Sequence, residues 1–162
     1  MTQIFAIALA TGLTLLAACG ATRSQPGAAA AKTDADKPVV SPHSEVDFLS
    51  AERFADVPDR ARAEDKLVFV DFYTSWCLPC KLMDEDVFSD ARFGDFMNER
   101  FVSVKIDAEA GNGPKLAALY GVRAYPTLLW VDADGRVRAR REGAAYQTEL
   151  RRLSREALGS VN

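Results

Sequence analysis

Apolar and polar positions divide the chain into three stretches. Residues 4–18 are mostly Ala, Leu, Ile and Phe, and residues 1–18 contain no Asp, Glu, Lys or Arg. Residues 20–44 are rich in Ala, Gly, Ser, Thr and Pro, with Val39 and Val40 as their large apolar residues. From Glu45 onward, short apolar runs alternate with helical spacings. Val46, Phe48 and Leu49 predict a short opening strand, and the polar, Ala-rich residues 51–64 predict helix. Proline is tolerated in a first helical turn, so Pro58 places a helix start near Val57. Residues 67–73 (Leu-Val-Phe-Val-Asp-Phe-Tyr) form a nearly continuous apolar run, which predicts a central strand covered on both faces. After Cys77 the spacing turns helical through Met83, Val87, Phe93, Phe96 and Met97, with a break near Phe88 and Ser89 or Asp90 capping the second piece. Residues 101–106 predict a strand, and residues 115–120 a short helix stopped by Gly121. Residues 127–131 predict a strand, Asp132-Ala133-Asp134-Gly135 a turn, and residues 136–141 the returning strand. Tyr146, Leu150, Leu153 and Ala157 line one face of a final helix. The alternation and the hairpin together predict an α/β domain, a mixed sheet with helices on its faces.

The apolar run at the start is shorter than the roughly 20 residues of a spanning helix and fits the core of a secretory signal. Its n-region is weak, since Met-Thr-Gln carries no side-chain charge. The run ends in Leu16-Ala17-Ala18-Cys19-Gly20, which resembles the lipobox of bacterial lipoproteins. That resemblance implies cleavage before Cys19, acylation of Cys19 and a membrane anchor of several acyl chains, which holds where one chain does not. The alternative is an ordinary signal peptide with Cys19 incidental. Gly20, in place of Asp, leans towards the outer membrane in the Gram-negative sorting pattern. The expected organisation is a signal peptide over residues 1–18, a lipidated N-terminus and tether over 19–44, and a domain over 45–162. His43 belongs to the tether, where an exposed histidine is the simplest reading.

Composition narrows the function. Of 162 residues, 48% are hydrophobic and 27% charged, as in a globular domain. The net charge of −3 argues against a generic nucleic-acid binder. Three cysteines are too few for a disulfide-stapled mini-protein, and one histidine leaves little for a metal site.

The informative motif is Trp76-Cys77-Leu78-Pro79-Cys80-Lys81. Two cysteines three apart at a helix start differ by about 300° in rotation and come within disulfide reach. The first lies where unsatisfied N–H groups favour a thiolate nucleophile, with Lys81 adding positive charge, and the second is placed to resolve a mixed disulfide. Zinc sites also use this spacing but usually take four ligands, and Cys19 and His43 are the only other candidates, so no metal is expected. A structural disulfide closing so small a loop stabilises a fold only modestly, so redox chemistry leads. Asp71, the one charge in its strand, lies six residues before Cys77. A buried carboxylate tends to take up a proton and is placed to accept that of Cys80; the alternative is an ion pair with Lys105 or exposure at a strand end. Ala124-Tyr125-Pro126-Thr127 brings a proline into a strand through a tight turn, for which a cis peptide is one option.

Residues 70–81, with Val104-Lys105-Ile106-Asp107 and Tyr125-Pro126-Thr127, resemble the thioredoxin superfamily over about residues 57–158. Met83-Asp84-Glu85-Asp86-Val87-Phe88-Ser89-Asp90 resembles the C-terminal periplasmic domain of the transmembrane disulfide reductase family. The resemblance implies a thioredoxin fold, with Cys77 attacking, Cys80 resolving and Asp71 as the buried acid. It makes Pro126 a cis-proline whose loop, with Tyr125, meets substrate backbone, and Trp76 part of the surface around Cys77. The lysine that often faces the buried acid falls on Ser103 when counted back from Asp107, with Lys105 two residues further on. The implied activity is thiol–disulfide exchange on protein disulfides, with no dissociable cofactor and with recharging by an electron-donating thiol partner. Leu78-Pro79 keeps the proline of reducing thioredoxins, which leans the reading towards a reductase in the cell envelope. An oxidant or isomerase on the same fold, and a non-catalytic binding or chaperone module, are the alternatives. Arg136, Arg138, Arg140, Arg141, Arg151, Arg152 and Arg155 make the C-terminal end basic, while Asp84, Glu85, Asp86, Asp90 and Asp95 make the helix after the motif acidic. A solvated surface is the favoured reading of those charges, and docking to anionic lipid or an acidic partner the other.

Overall fold

A computed structural model describes residues 44–159. The expected boundary at residue 18, Cys19 and His43 lie outside them. Five strands, β1 (Phe48–Leu49), β2 (Leu67–Tyr73), β3 (Phe101–Asp107), β4 (Thr127–Val131) and β5 (Val137–Glu142), form one sheet in the order β1-β3-β2-β4-β5. β3 pairs in parallel with β1 and β2, and β4 antiparallel with β2 and β5. The helices are α1 (Val57–Glu64), α2 (Leu78–Met83), α3 (Ala91–Arg100), α4 (Gly113–Leu119) and α5 (Gln147–Gly159). This is the mixed, two-faced α/β sheet that the alternation predicted.

The period-2 geometry of β2 builds both cores at once. Phe69 joins Phe48, Leu128 and Trp130 against Met83, Phe88, Phe93, Met97, Leu150 and Leu153 from the α2, α3 and α5 side. Val68, Val70 and Phe72 join Val104, Ile106 and Leu129 against Val57, Ala61 and Ala117 from α1 and α4. A strand covered on both faces reads as an unbroken apolar run, which is why β2 and β4 were legible to the residue. Trp130, fully buried, donates its indole N–H to Ser154 Oγ at 2.9 Å, which ties α5 to the sheet.

Two elements add detail to the expectation, and one departs from it. The helix expected over 51–64 is a 3-10 turn at Ala51–Arg53 followed by α1, because Pro58 fits only the first turn of a new helix. The segment after Cys77 passes from α2 into a π-helical turn at Asp84–Phe88 and restarts as α3 with Asp90 as its cap, Oδ1 accepting from Phe93 N at 2.7 Å. Tyr146 precedes α5 and is 83% exposed, so it does not share the buried face of Leu150, Leu153 and Ala157. Gly121, at φ +62°, ends the α4 segment in the left-handed conformation glycine favours.

The arginines of β5 are engaged within the chain. Arg138 binds Asp132 at 2.8 Å, Arg140 binds Glu142 and the carbonyls of Tyr120 and Gly121, and Arg141 binds Glu149 at 3.0 Å. These exposed and half-exposed pairs fit the solvated-edge reading.

Candidate active site

β2 ends at Tyr73, and the chain turns through Thr74, whose carbonyl accepts from Cys77 N at 3.1 Å. Cys77 is the N-cap of α2, and its Sγ accepts from Cys80 N at 3.2 Å. A backbone N–H thus points at the first sulfur, as a thiolate there requires. Cys77 and Cys80 are joined as a disulfide, and each residue is 2% exposed. Pro79, which lacks an N–H, sits in the first turn of α2, where no intrahelical donor is needed.

Trp76 stands out from this loop, 65% exposed, with its indole N–H donating to Glu109 Oε2 at 2.9 Å. Its ring meets Tyr125 edge-on at 6.0 Å between centroids. The Tyr125–Pro126 peptide is cis, and Pro126 is buried at the start of β4. The structure therefore brings Trp76 and the Tyr125–Pro126 turn together. Lys81 is exposed on α2.

An ion cluster joins β2, β3 and the C-terminal end of α2. Asp71 is 1% exposed and faces Lys105 across the parallel β2–β3 pair. Lys105 Nζ donates to Asp71 Oδ2 at 2.8 Å and also to Asp84 Oδ1. The ammonium lies 5.0 to 5.3 Å from the ring centroids of Tyr73, Phe48 and Phe88. This corrects the sequence count: the lysine facing the buried acid is Lys105, and Ser103 pairs with Phe69. Asp71 is ion-paired with Lys105 and is not exposed at a strand end. Asp71 Oδ1 is left as a buried acceptor without a hydrogen-bond partner, as is the nearby hydroxyl of Thr74.

Asp84 is the residue that sequence reasoning missed. It lies four residues after Cys80, one helical turn on, and that spacing was the available signal. Burial pushes its carboxyl above the ordinary range, with Lys105 opposing. Burial also presses on Lys105 to lose its proton, yet the two carboxylates prevail and hold its pKa above the ordinary value. A cation shared by one buried and one half-buried acid, the latter inclined to hold a proton, is an arrangement that can take up and return a proton. Among the described residues, no group of three or more His, Cys, Asp or Glu is placed to hold a metal ion.

Comparison with known proteins places this geometry. Residues 54–158 match the family described as thioredoxin-like domain. A thiol:disulfide interchange protein DsbD from Pseudomonas sp. is 33% identical over 78 residues, covering 48% of this chain and 14% of that protein's length. A thioredoxin from Mycoplasmoides gallisepticum is 32% identical over 98 residues, covering 59% of this chain and 88% of that protein. The solution structure of a candidate disulphide-isomerase from Bacteroides thetaiotaomicron superposes with a TM-score of 0.63 at 39% identity, covering 74% of this chain and 98% of that one. With its sheet, its Cys77–Cys80 disulfide and these relatives, the chain belongs to the thioredoxin-like family of thiol–disulfide oxidoreductases.

Proposed function

We propose that the protein is a membrane-anchored thiol–disulfide reductase of envelope proteins, held by acyl chains on Cys19. The observation that carries the redox step is the Cys77–Cys80 pair at the start of α2, with a backbone N–H directed at Cys77 Sγ. In the reduced protein, the Cys77 thiolate attacks one sulfur of a substrate disulfide, and the other substrate sulfur leaves as a thiolate. Cys80 loses its proton and attacks Cys77 Sγ, and the second substrate sulfur leaves. Two electrons pass to the substrate, and the Cys77–Cys80 disulfide remains. Asp71 and Asp84 are the groups placed to receive the Cys80 proton, and a thiol partner returns the protein to the dithiol. The Tyr125–Pro126 turn and Trp76 form the surface on which substrate backbone lies.

The reducing direction draws support from two features. Pro79 precedes the second cysteine, as in reducing thioredoxins. The cluster holds two carboxylates and one ammonium, so with both acids ionised it carries net negative charge, and its Asp84 lies one helical turn after Cys80. Negative charge disfavours a thiolate and so favours the disulfide, whereas strong oxidants have a stabilised reduced form. Equilibration with glutathione or dithiothreitol is expected to give a potential at or below about −230 mV, and a value above about −180 mV would mark an oxidant or isomerase.

The envelope anchor rests on Leu16-Ala17-Ala18-Cys19. No helix among the described residues is long and apolar enough to cross a membrane. Intact-mass analysis of protein extracted from host membranes is expected to show a chain starting at an acylated Cys19. An unmodified Cys19, or cleavage elsewhere, would remove the anchor from this reading.

A further inference from the structure

Large apolar side chains are costly to leave in water, and two of the exposed ones, Leu82 and Tyr146, meet beside the redox motif. Leu78 and Leu82, on α2, are 64% and 47% exposed, and Tyr146, in the loop before α5, is exposed further still. Leu82 and Tyr146 flank a trough of about 270 Å³ that starts at Pro79, between the two cysteines. Its floor includes Met83 and Val87, and its rim carries the exposed carboxylate of Asp86. No lysine or arginine lines it. The helical spacing of Pro79, Leu82, Met83, Asp86 and Val87 makes this a single face running from α2 into the π-helical turn. Neither Trp76 nor the Tyr125–Pro126 turn lines it.

We propose that this trough is a docking site for an extended segment of the protein whose disulfide reacts at Cys77, seating an aliphatic or aromatic side chain between Leu82 and Tyr146 while an adjacent lysine or arginine meets Asp86. Two observations select this occupant. Pro79 belongs both to the trough and to the Cys77–Cys80 loop, so a chain that brings a sulfur to Cys77 lies within a few residues of it. The apolar lining with a lone anionic rim fits an apolar residue beside a basic one, and burying an acidic neighbour against Asp86 would be unfavourable. Leu82 is five residues from Cys77, about 7.5 Å along a helix axis, which roughly two to three extended residues span. The inference rests on Cys77 as the attacking sulfur and adds a recognition subsite to it.

The test uses the full chain in its reduced form and two synthetic peptides. Each peptide carries one cysteine as a mixed disulfide with thionitrobenzoate, so attack by Cys77 releases a chromophore. One has Leu-Lys three residues from the cysteine on both sides, and the other has Ser-Glu there. The Leu-Lys peptide is expected to react about tenfold faster at sub-saturating concentration. In the Tyr146→Ala/Asp86→Lys variant the two rates should converge to within about twofold. Exchange with bis(2-hydroxyethyl) disulfide, which is too small to reach the trough, should be the same in both proteins. Equal peptide rates in the unaltered protein, or a preference that survives in the variant, would overturn the docking site. Loss of reaction with the small disulfide in the unaltered protein would instead overturn the redox reading.

Discussion

Replacing Cys77 by serine is expected to abolish reduction of protein disulfides, with a fall of at least about 10³-fold in kcat/KM, because a serine hydroxyl is not ionised near neutral pH as a tuned thiol is. Replacing Cys80 by serine should have a different signature. Cys77 still attacks, but nothing resolves the product, so a covalent mixed disulfide accumulates at one equivalent per chain. Non-reducing gel electrophoresis and intact-mass measurement with an oxidised protein substrate would read this directly. The asymmetry follows from the geometry: Cys77 caps α2 and receives the N–H of Cys80, whereas Cys80 lies inside the first turn. Turnover by the Cys77→Ser chain, or a failure of the Cys80→Ser chain to trap substrate, would refute the assigned order of attack. If a chain lacking both cysteines kept its cellular function, the protein would instead be a binding or chaperone module.

How much of this could be read in the sequence depends on whether the controlling contacts are local. β2 and β4 were legible because a strand buried on both faces must be apolar throughout, and the Asp132–Gly135 turn because Asp and Gly meet its backbone demands directly. The dithiol was legible because cysteine spacing and helix geometry both act within one turn. Lys105 could be named as one partner of Asp71, but the count that put Ser103 opposite the acid failed because the facing position depends on the parallel register of β2 against β3, which counting along one strand does not carry. Asp84 was hidden for a related reason. An acid among Asp84, Glu85 and Asp86 looks like a solvated helix face, and only the path of the chain into the π-helical turn brings the first of the three beside Lys105. Tyr146 was misassigned because its spacing to Leu150 is helical, although the helix begins at Gln147 and Tyr146 stays outside.

Loss of Lys105 should strongly disturb the fold while leaving both sulfurs in place. Lys105→Met fills similar volume but removes the cation from two buried acids, so the chain keeps Asp71 and Asp84 without their counter-charge. Breaking a buried ion pair from one side costs about 3–5 kcal/mol, and that loss is expected near pH 7 in urea or thermal unfolding. The loss should shrink as the pH falls. Without Lys105, which opposes the effect of burial, the folded chain binds a proton on the Asp84 carboxyl more tightly than the unfolded chain does. In the window above the ordinary aspartate value of 3.8, stability therefore falls with rising pH and returns on acidification. The unaltered protein is expected to show a loss of the same sign at alkaline pH. The pKa of Lys105 is held above its ordinary 10.5, so its contribution is complete below that value and is lost as the pH rises through the higher folded value. Asp84→Asn supplies the control, since its amide oxygen still accepts from Lys105 while the buried charge is gone. The desolvation that raises the Asp84 carboxyl makes stability decline with pH from 3.8 upward, and the asparagine variant should lack that decline. Combining Lys105→Met with Asp84→Asn should recover a large part of the loss, because one uncompensated charge then remains instead of two. Additive losses in the double variant, or a Lys105→Met cost independent of pH, would show that Lys105 stabilises the fold through its aromatic contacts with Tyr73, Phe48 and Phe88 and not through the two acids.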